Sequence, residues 1–152
     1  MTMPLLALLI WMQAGHPDTV RVLVLVNVSQ PVTNISSADL RSIYVGQTTR
    51  WPSHRLIVPI VMPLDTAAGT TFLRRVIGMG EVDFAQHWIG LVFRGQTTSP
   101  PLVARSSAEA ARFVATHPEA IALVTSMPAE RNVRVLSVDG QSPQSAGYPL
   151  RW

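Results

Sequence analysis

The chain has 152 residues, of which 47% are hydrophobic and 14% charged, with a formal charge of +3 and no cysteine. A chain this long and this apolar can bury a core of its own, so disorder is excluded as its main state; disulfides, thiolate metal sites and cysteine nucleophiles are excluded together. All twelve basic residues are arginines, scattered except for Arg74-Arg75. A nucleic-acid binder shows a clustered basic stripe, so no nucleic-acid partner is expected.

The chain opens on an apolar run from Met3 to Met12, followed by Gln13-Ala14-Gly15. A membrane-spanning helix needs about 20 apolar residues. The run suits the apolar centre of a secretory signal peptide, although no Arg or Lys precedes it. The alternative is an ordinary apolar N-terminal segment. The expectation is a leader over 1–16, one domain over 17–152, and a periplasmic or secreted location.

Val20 to Val28 is a continuous β-branched and Leu run, which predicts a strand buried on both faces. Ser36-Ser37-Ala38-Asp39-Leu40 opens a helix with a Ser cap, an acid in the first turn and Leu40, Ile43 and Tyr44 on one face; Gly46 ends it. Gln47 to Arg55 is a polar loop around Trp51-Pro52, with Trp51 packing over the end of that helix. Leu56 to Met62 predicts a second strand. Pro59 within it cannot donate to a ladder, which places this strand at an edge or at a bulge.

Phe72 to Ile77 reads as a helix closed by Gly78 or Gly80, and Glu81 to Phe93 as another, with Phe84, Trp88, Leu91 and Val92 at helical spacing. Arg94 to Pro101 reads as a loop. Ser106 or Ser107 caps a helix carrying Ala110, Phe113 and Val114 that stops near His117-Pro118. Ala120–Thr125 and Val133–Val138 are two further strands, and the tail from Gln141 is turn-rich and irregular. Alternating strands and helices predict a three-layer α/β sandwich with a mostly parallel or mixed central sheet.

The chemistry-bearing residues are sparse. His16, His54, His87 and His117 form no i,i+4 pair, and no HExxH, GxSxG, GxGxxG or Walker loop occurs. His87 is read as a half-buried packing residue and His54 and His117 as solvated. No catalytic set, no metal site and no cofactor is expected.

One segment stands apart: Asp65-Thr66-Ala67-Ala68-Gly69-Thr70-Thr71-Phe72 follows a strand and opens a helix. The first amides of a helix lack internal partners and the dipole makes that end positive. Gly69 would let an anion approach, and Thr70 and Thr71 would add hydroxyl donors, with Asp65 or Thr66 at the rim. The same residues also suit simple capping.

Several stretches together resemble the periplasmic phosphate-binding proteins of phosphate ABC transporters. They are Asn27–Pro31, Ser36-Ser37-Ala38-Asp39-Leu40 through Ile43-Tyr44-Val45-Gly46 to Trp51, and Gly69-Thr70-Thr71-Phe72. His117-Pro118-Glu119-Ala120-Ile121, Val133 to Gly140 and Tyr148-Pro149-Leu150 complete the set. The resemblance runs from about Val22 to Leu150. It implies one lobe of a type 2 periplasmic-binding-protein fold, the second lobe of the family's two, with Asp65, Thr66, Gly69, Thr70 and Thr71 as the ligand-binding residues. In the family's phosphate loop an Arg, an acid and a Ser precede Gly-Thr. Here Pro63 or Leu64 stands near the Arg, Asp65 or Thr66 near the acid, and Ala68 replaces the Ser. The implied function is weak binding of phosphate or another oxyanion, without an Arg fork, in association with phosphate transport. The alternative is an adaptor with a decayed ligand site and a protein partner covering the cleft. Neither is an enzyme.

Overall fold

The computed structural model describes residues 19–97 and 99–152. The leader assigned to 1–16 lies outside the described residues.

Strand β1 (Leu23–Asn27) is buried at all five positions, as its unbroken apolar run requires. Val22, Val24 and Val26 face one layer of the core and Leu23 and Leu25 the other. The remaining elements, in chain order, are β2 (Asn34–Ile35), α1 (Ser37–Tyr44), β3 (Val58–Val61) and α2 (Ala67–Phe72). Helix α2 continues into a π-helical turn, Leu73–Ile77, that stops at Gly78 with φ 77°. Then come α3 (Glu81–Phe93), β4 (Leu102–Val103), α4 (Ser107–Thr116), β5 (Ala120–Val124), β6 (Val133–Val135) and β7 (Ser137–Val138).

The central sheet has the order β4-β3-β5-β1-β6. Strands β4, β3 and β5 run parallel, and β1 is antiparallel to both of its neighbours. The sheet is therefore mixed and the architecture is the three-layer α/β sandwich that the alternation predicts. Helices α1, α2 and α3 cover one face through Leu40, Ile43, Tyr44, Phe72, Phe84 and Trp88. Helix α4 covers the other through Ala110, Ala111 and Val114.

Four readings change. Strand β3 is not at an edge, because it pairs with both β5 and β4. The Val58 amide reaches Glu119 on β5's side, so Pro59 turns its missing donor towards β4, which begins its pairing one residue later at Ile60. Two residues of β4 lie just past the presumed Arg94–Pro101 loop and form the sheet edge. The single strand expected over Val133–Val138 divides at Leu136. The Leu136 amide still bonds Val24 in the central sheet, whereas the Ser137 and Asp139 amides bond Thr33 and Ile35. This switch builds the parallel β2–β7 pair. The tail is turn-rich, but its end is not irregular: Val20 and Trp152 exchange backbone hydrogen bonds of 2.8 and 3.0 Å, and the Val22 amide donates to Leu150.

Two aromatic hydroxyls tie these layers. Tyr44 donates to the carbonyls of Ile60 (2.8 Å) and Ile121 (3.3 Å), and Tyr148 to Val22 (2.7 Å). Burial pushes both phenols well above their ordinary range. Trp51 is buried and its indole N–H donates to Glu119 (3.0 Å). Beside it Arg55 pairs with the Glu119 carboxylate, whose pKa this hydrogen bond holds below the usual value.

Two expectations follow from this core. Trp51→Ala removes a buried ring together with its hydrogen bond and lowers unfolding free energy by about 3–5 kcal/mol in denaturant titration. Stability also falls as pH rises above about 10, the ordinary phenol value. There the unfolded chain releases the Tyr44 and Tyr148 protons while the folded chain retains them, so the unfolded state binds fewer protons. Tyr44→Phe combined with Tyr148→Phe reduces that alkaline slope in thermal melts.

Candidate functional site

Three parallel strands end on the same side of the sheet. β3 runs into Met62-Pro63, β4 into Ala104-Arg105 and β5 into Thr125. Helix α2 begins after the first and α4 after the second, on opposite faces of the sheet. Between them lies a concavity of about 220 Å³, walled by Pro63, Thr66 and Ala68 on one side and by Arg105, Ser106 and Ser107 on the other, with Leu123 and Thr125 completing the lining. The carboxyl ends of parallel strands, between helices that begin on opposite faces, are where open α/β sheets receive ligands.

Both helix starts are capped from within. Thr66 Oγ1 accepts the Gly69 amide at 3.1 Å, and Ser106 Oγ accepts the Glu109 amide at 3.0 Å. Those bonds leave the first two amides of each helix, Ala67 and Ala68 in one and Ser107 and Ala108 in the other, ahead of the intrahelical ladder. The Arg105 guanidinium forms no ion pair or hydrogen bond among the described residues. Its own backbone amide donates to the Glu109 carboxylate at 3.2 Å. Ser107 Oγ accepts the Thr125 amide and lies 3.4 Å from Thr125 Oγ1. The arrangement offers a guanidinium, hydroxyls and helix-end amides, a donor set suited to an oxyanion. Among the described residues no group of three His, Asp or Glu could hold a metal ion.

The starts of α1 and α3 do not line the concavity. The Ser37 amide at the head of α1 is taken by the Asp139 carboxylate at 2.7 Å, and α3 carries its own acids, Glu81 and Asp83, in its first turn. An internal negative charge sits at both of those positive ends, as Glu109 does in the first turn of α4, whereas α2 has no acid in its first turn.

Of the residues expected to bind ligand, only Thr66 lines the concavity. Its hydroxyl donates to the Pro63 carbonyl at 2.7 Å. Asp65 is exposed and stands outside the lining. The Thr70 hydroxyl donates to Leu64 (3.1 Å) and the Thr71 hydroxyl to Ala67 (2.8 Å), so both protons are committed within the segment. Gly69 is buried, and a Cβ there would stand 2.4 Å from the Pro63 carbonyl oxygen. This glycine lets the helix settle onto the preceding loop.

Sequence reasoning missed Arg105 and Thr125 as lining residues and read Ser106 and Ser107 only as alternative caps, of which Ser106 is the one that caps. The signal available was a second helix start of the same kind, with two serines behind an arginine. The expectation that no Arg reaches the pocket is corrected: the arginine comes from the β4–α4 turn, some forty residues beyond the loop where it was sought. Elsewhere, His87 is half-buried and bonds the Val45 carbonyl (2.7 Å), as its packing role requires. His54 and His117 are exposed.

No protein-family model and no curated protein sequence matches the chain. Solved structures do resemble it. A phosphate ABC transporter substrate-binding protein from Clostridium perfringens, with bound phosphate, superposes with a TM-score of 0.64 at 16% identity, over 82% of this chain and 47% of that one. An ABC-type phosphate transport receptor from Vibrio cholerae gives 0.66 at 17% identity, over 88% and 54%. PstS from Borrelia burgdorferi gives 0.67 at 15%, over 88% and 55%. The chain thus spans about half the length of these proteins, and its fold is that of one lobe of such a binding protein.

Gly69→Val drives a side chain into the Pro63 backbone and destabilises the protein by about 1–3 kcal/mol or more, the cost of overpacking. A melt without any anion present checks this. A wild-type melting temperature in that variant would return Gly69 to a ligand-facing role.

Proposed function

We propose that the chain is an exported binding lobe that holds phosphate or a similar oxyanion weakly in the concavity at the ends of β3, β4 and β5. The observation that carries this reading is the convergence there of two helix starts and the Arg105 guanidinium, with no carboxylate lining the wall. The likeness to phosphate-binding lobes supports it. In this reading Ser106 and Ser107 supply hydroxyl contacts, the amides of Ala67, Ala68, Ser107 and Ala108 complete the cradle, Arg105 adds a charged fork, and Thr66, its proton held by Pro63, caps the helix at the wall. Gly69, Thr70 and Thr71 act behind it by holding the helix start in place, and Asp65 remains outside. Export belongs to the same reading and is carried by the apolar run Met3–Met12.

Affinity is weak for two reasons. The lobe covers an anion from one side, so each new hydrogen bond replaces one to water. The Glu109 carboxylate also sits at the start of α4, where it opposes a second negative charge. A millimolar dissociation constant, worth about 4 kcal/mol, is expected. A protein partner seated over the concavity would exclude that water and tighten the site.

Thermal melts in rising phosphate test the reading. Stabilisation is only about 0.4 kcal/mol when phosphate equals its dissociation constant, so the shift emerges at millimolar concentrations. Arg105→Ala removes the shift while leaving the melt in phosphate-free buffer within about 0.5 kcal/mol of wild type, because the side chain is exposed. Micromolar phosphate binding would contradict the weak site. Absence of any anion effect in the wild type would leave the adaptor reading in its place.

A further inference from the structure

We propose that the outer face of α3 is a self-association surface on which a second copy of this chain packs, its own α3 antiparallel to the first. Helix α3 carries two apolar stripes. Phe84, Trp88 and Leu91 are buried, with the Trp88 indole donating to the Tyr44 carbonyl at the end of α1. Val82, Ile89, Val92 and Phe93 form the other and are exposed by 68, 59, 38 and 89%. This corrects the reading of Val92 as a core position alongside Leu91. With Ala85 between them, these residues recur at the three- and four-residue spacing of a helix–helix seam.

The stripe borders an apolar groove of about 520 Å³ between α3 and the sheet edge, where Val103 of β4 is also exposed. Together these side chains present on the order of 500 Å² of apolar surface, towards the upper end of the largest patch a lone domain carries. A stable pair buries roughly 800 Å² per partner, so the stripe supplies more than half and a polar rim the rest.

Charge selects a second copy, and its direction. Helix α3 begins with Glu81 and Asp83 and is followed by Arg94; all three are exposed, and none is in an ion pair among the described residues. Antiparallel packing about a two-fold axis brings each Arg94 to the acidic end of the opposite helix, twice over. Parallel packing would set acid against acid and Arg94 against Arg94. The antiparallel register that opposes Val82 to Val92 also opposes Ala85 to Ile89, so small faces large and the helices approach closely. The same register sets each Phe93 over the Glu81 end of the other groove. The contact closes on itself, as an isologous interface must.

Sedimentation velocity of the full chain over a range of concentrations is the test. A reversible dimer is expected. Phe93→Glu weakens it at least tenfold with unchanged circular dichroism and melting temperature, since the ring contributes little to the monomer. Arg94→Glu also weakens it, and combining Arg94→Glu with Glu81→Arg recovers part of the loss. A wild-type monomer at several hundred micromolar overturns the proposal and gives the face to another occupant. A dimer indifferent to Phe93→Glu overturns it as well, as does one lost only when residues 1–16 are removed.

Discussion

Two neighbouring strands, β1 and β5, bury all ten of their residues, which leaves their backbone groups no water to turn to. Each of those amides and carbonyls needs a neighbour, because a buried polar group without one costs as much as a lost hydrogen bond. That requirement dictates most of the fold. β1 takes β5 and β6 as its flanks, and β5 takes β1 and β3. The segment before β1 takes the end of the chain, through Val20, Val22, Leu150 and Trp152. Even the Tyr44 hydroxyl serves this layer, reaching across to carbonyls of β3 and β5 from a helix packed on the sheet.

The mixed sheet that results has a functional consequence. β1 enters antiparallel between β5 and β6, so the other four strands share a direction, and of these β4, β3 and β5 lie side by side and end together. The helices that leave those ends belong to opposite faces, and their starts meet over the strand termini. Helix α1 begins elsewhere, directly after β2 and beside its partner β7, and Asp139, just past β7, puts its carboxylate on that positive end. The topology thus sets the starts of α2 and α4 over an open concavity, with Glu109 in the first turn of α4 and no acid in that of α2.

Much of this was legible in the sequence where a local pattern reflects a local cause. Ser36 and Ser106 cap the helices they precede, and α3 runs from Glu81 to Phe93 as its spacing requires. The double-faced burial of β1 followed from its unbroken apolar run. What escaped depends on partners distant in the chain. Pro59 argued for an edge, yet a parallel strand turns alternate amides to opposite sides, and the missing one falls where β4 has not begun. The two residues of β4 carry too short a pattern to read, and the break at Leu136 is visible only as a change of pairing partner. Val92 follows buried Trp88 by four residues and so borders the buried face, and whether such a residue is core or surface depends on what the sheet leaves uncovered.

At the candidate site the ligand-binding residues expected from the sequence pattern and the lining of the concavity share only Thr66. Asp65 to Phe72 stood out because small residues and threonines open a helix after a strand, and the concavity does begin there, at Thr66. Yet a glycine and two threonines can serve either a ligand or the backbone, and their sequence does not distinguish these uses. Here geometry does. The Pro63 carbonyl lies where a Gly69 side chain would have to be, and the carbonyls of Leu64 and Ala67 take the protons of Thr70 and Thr71. Those three residues hold the helix start tightly on the end of β3, and the first free amides stay in position because of it. The positive charge then has to come from elsewhere, and it comes from Arg105, whose place beside Thr66 is set by the pairing of β4 with β3. A loop that lacks its own arginine therefore need not be a loop without one, provided the sheet carries a neighbouring strand end close enough to lend it.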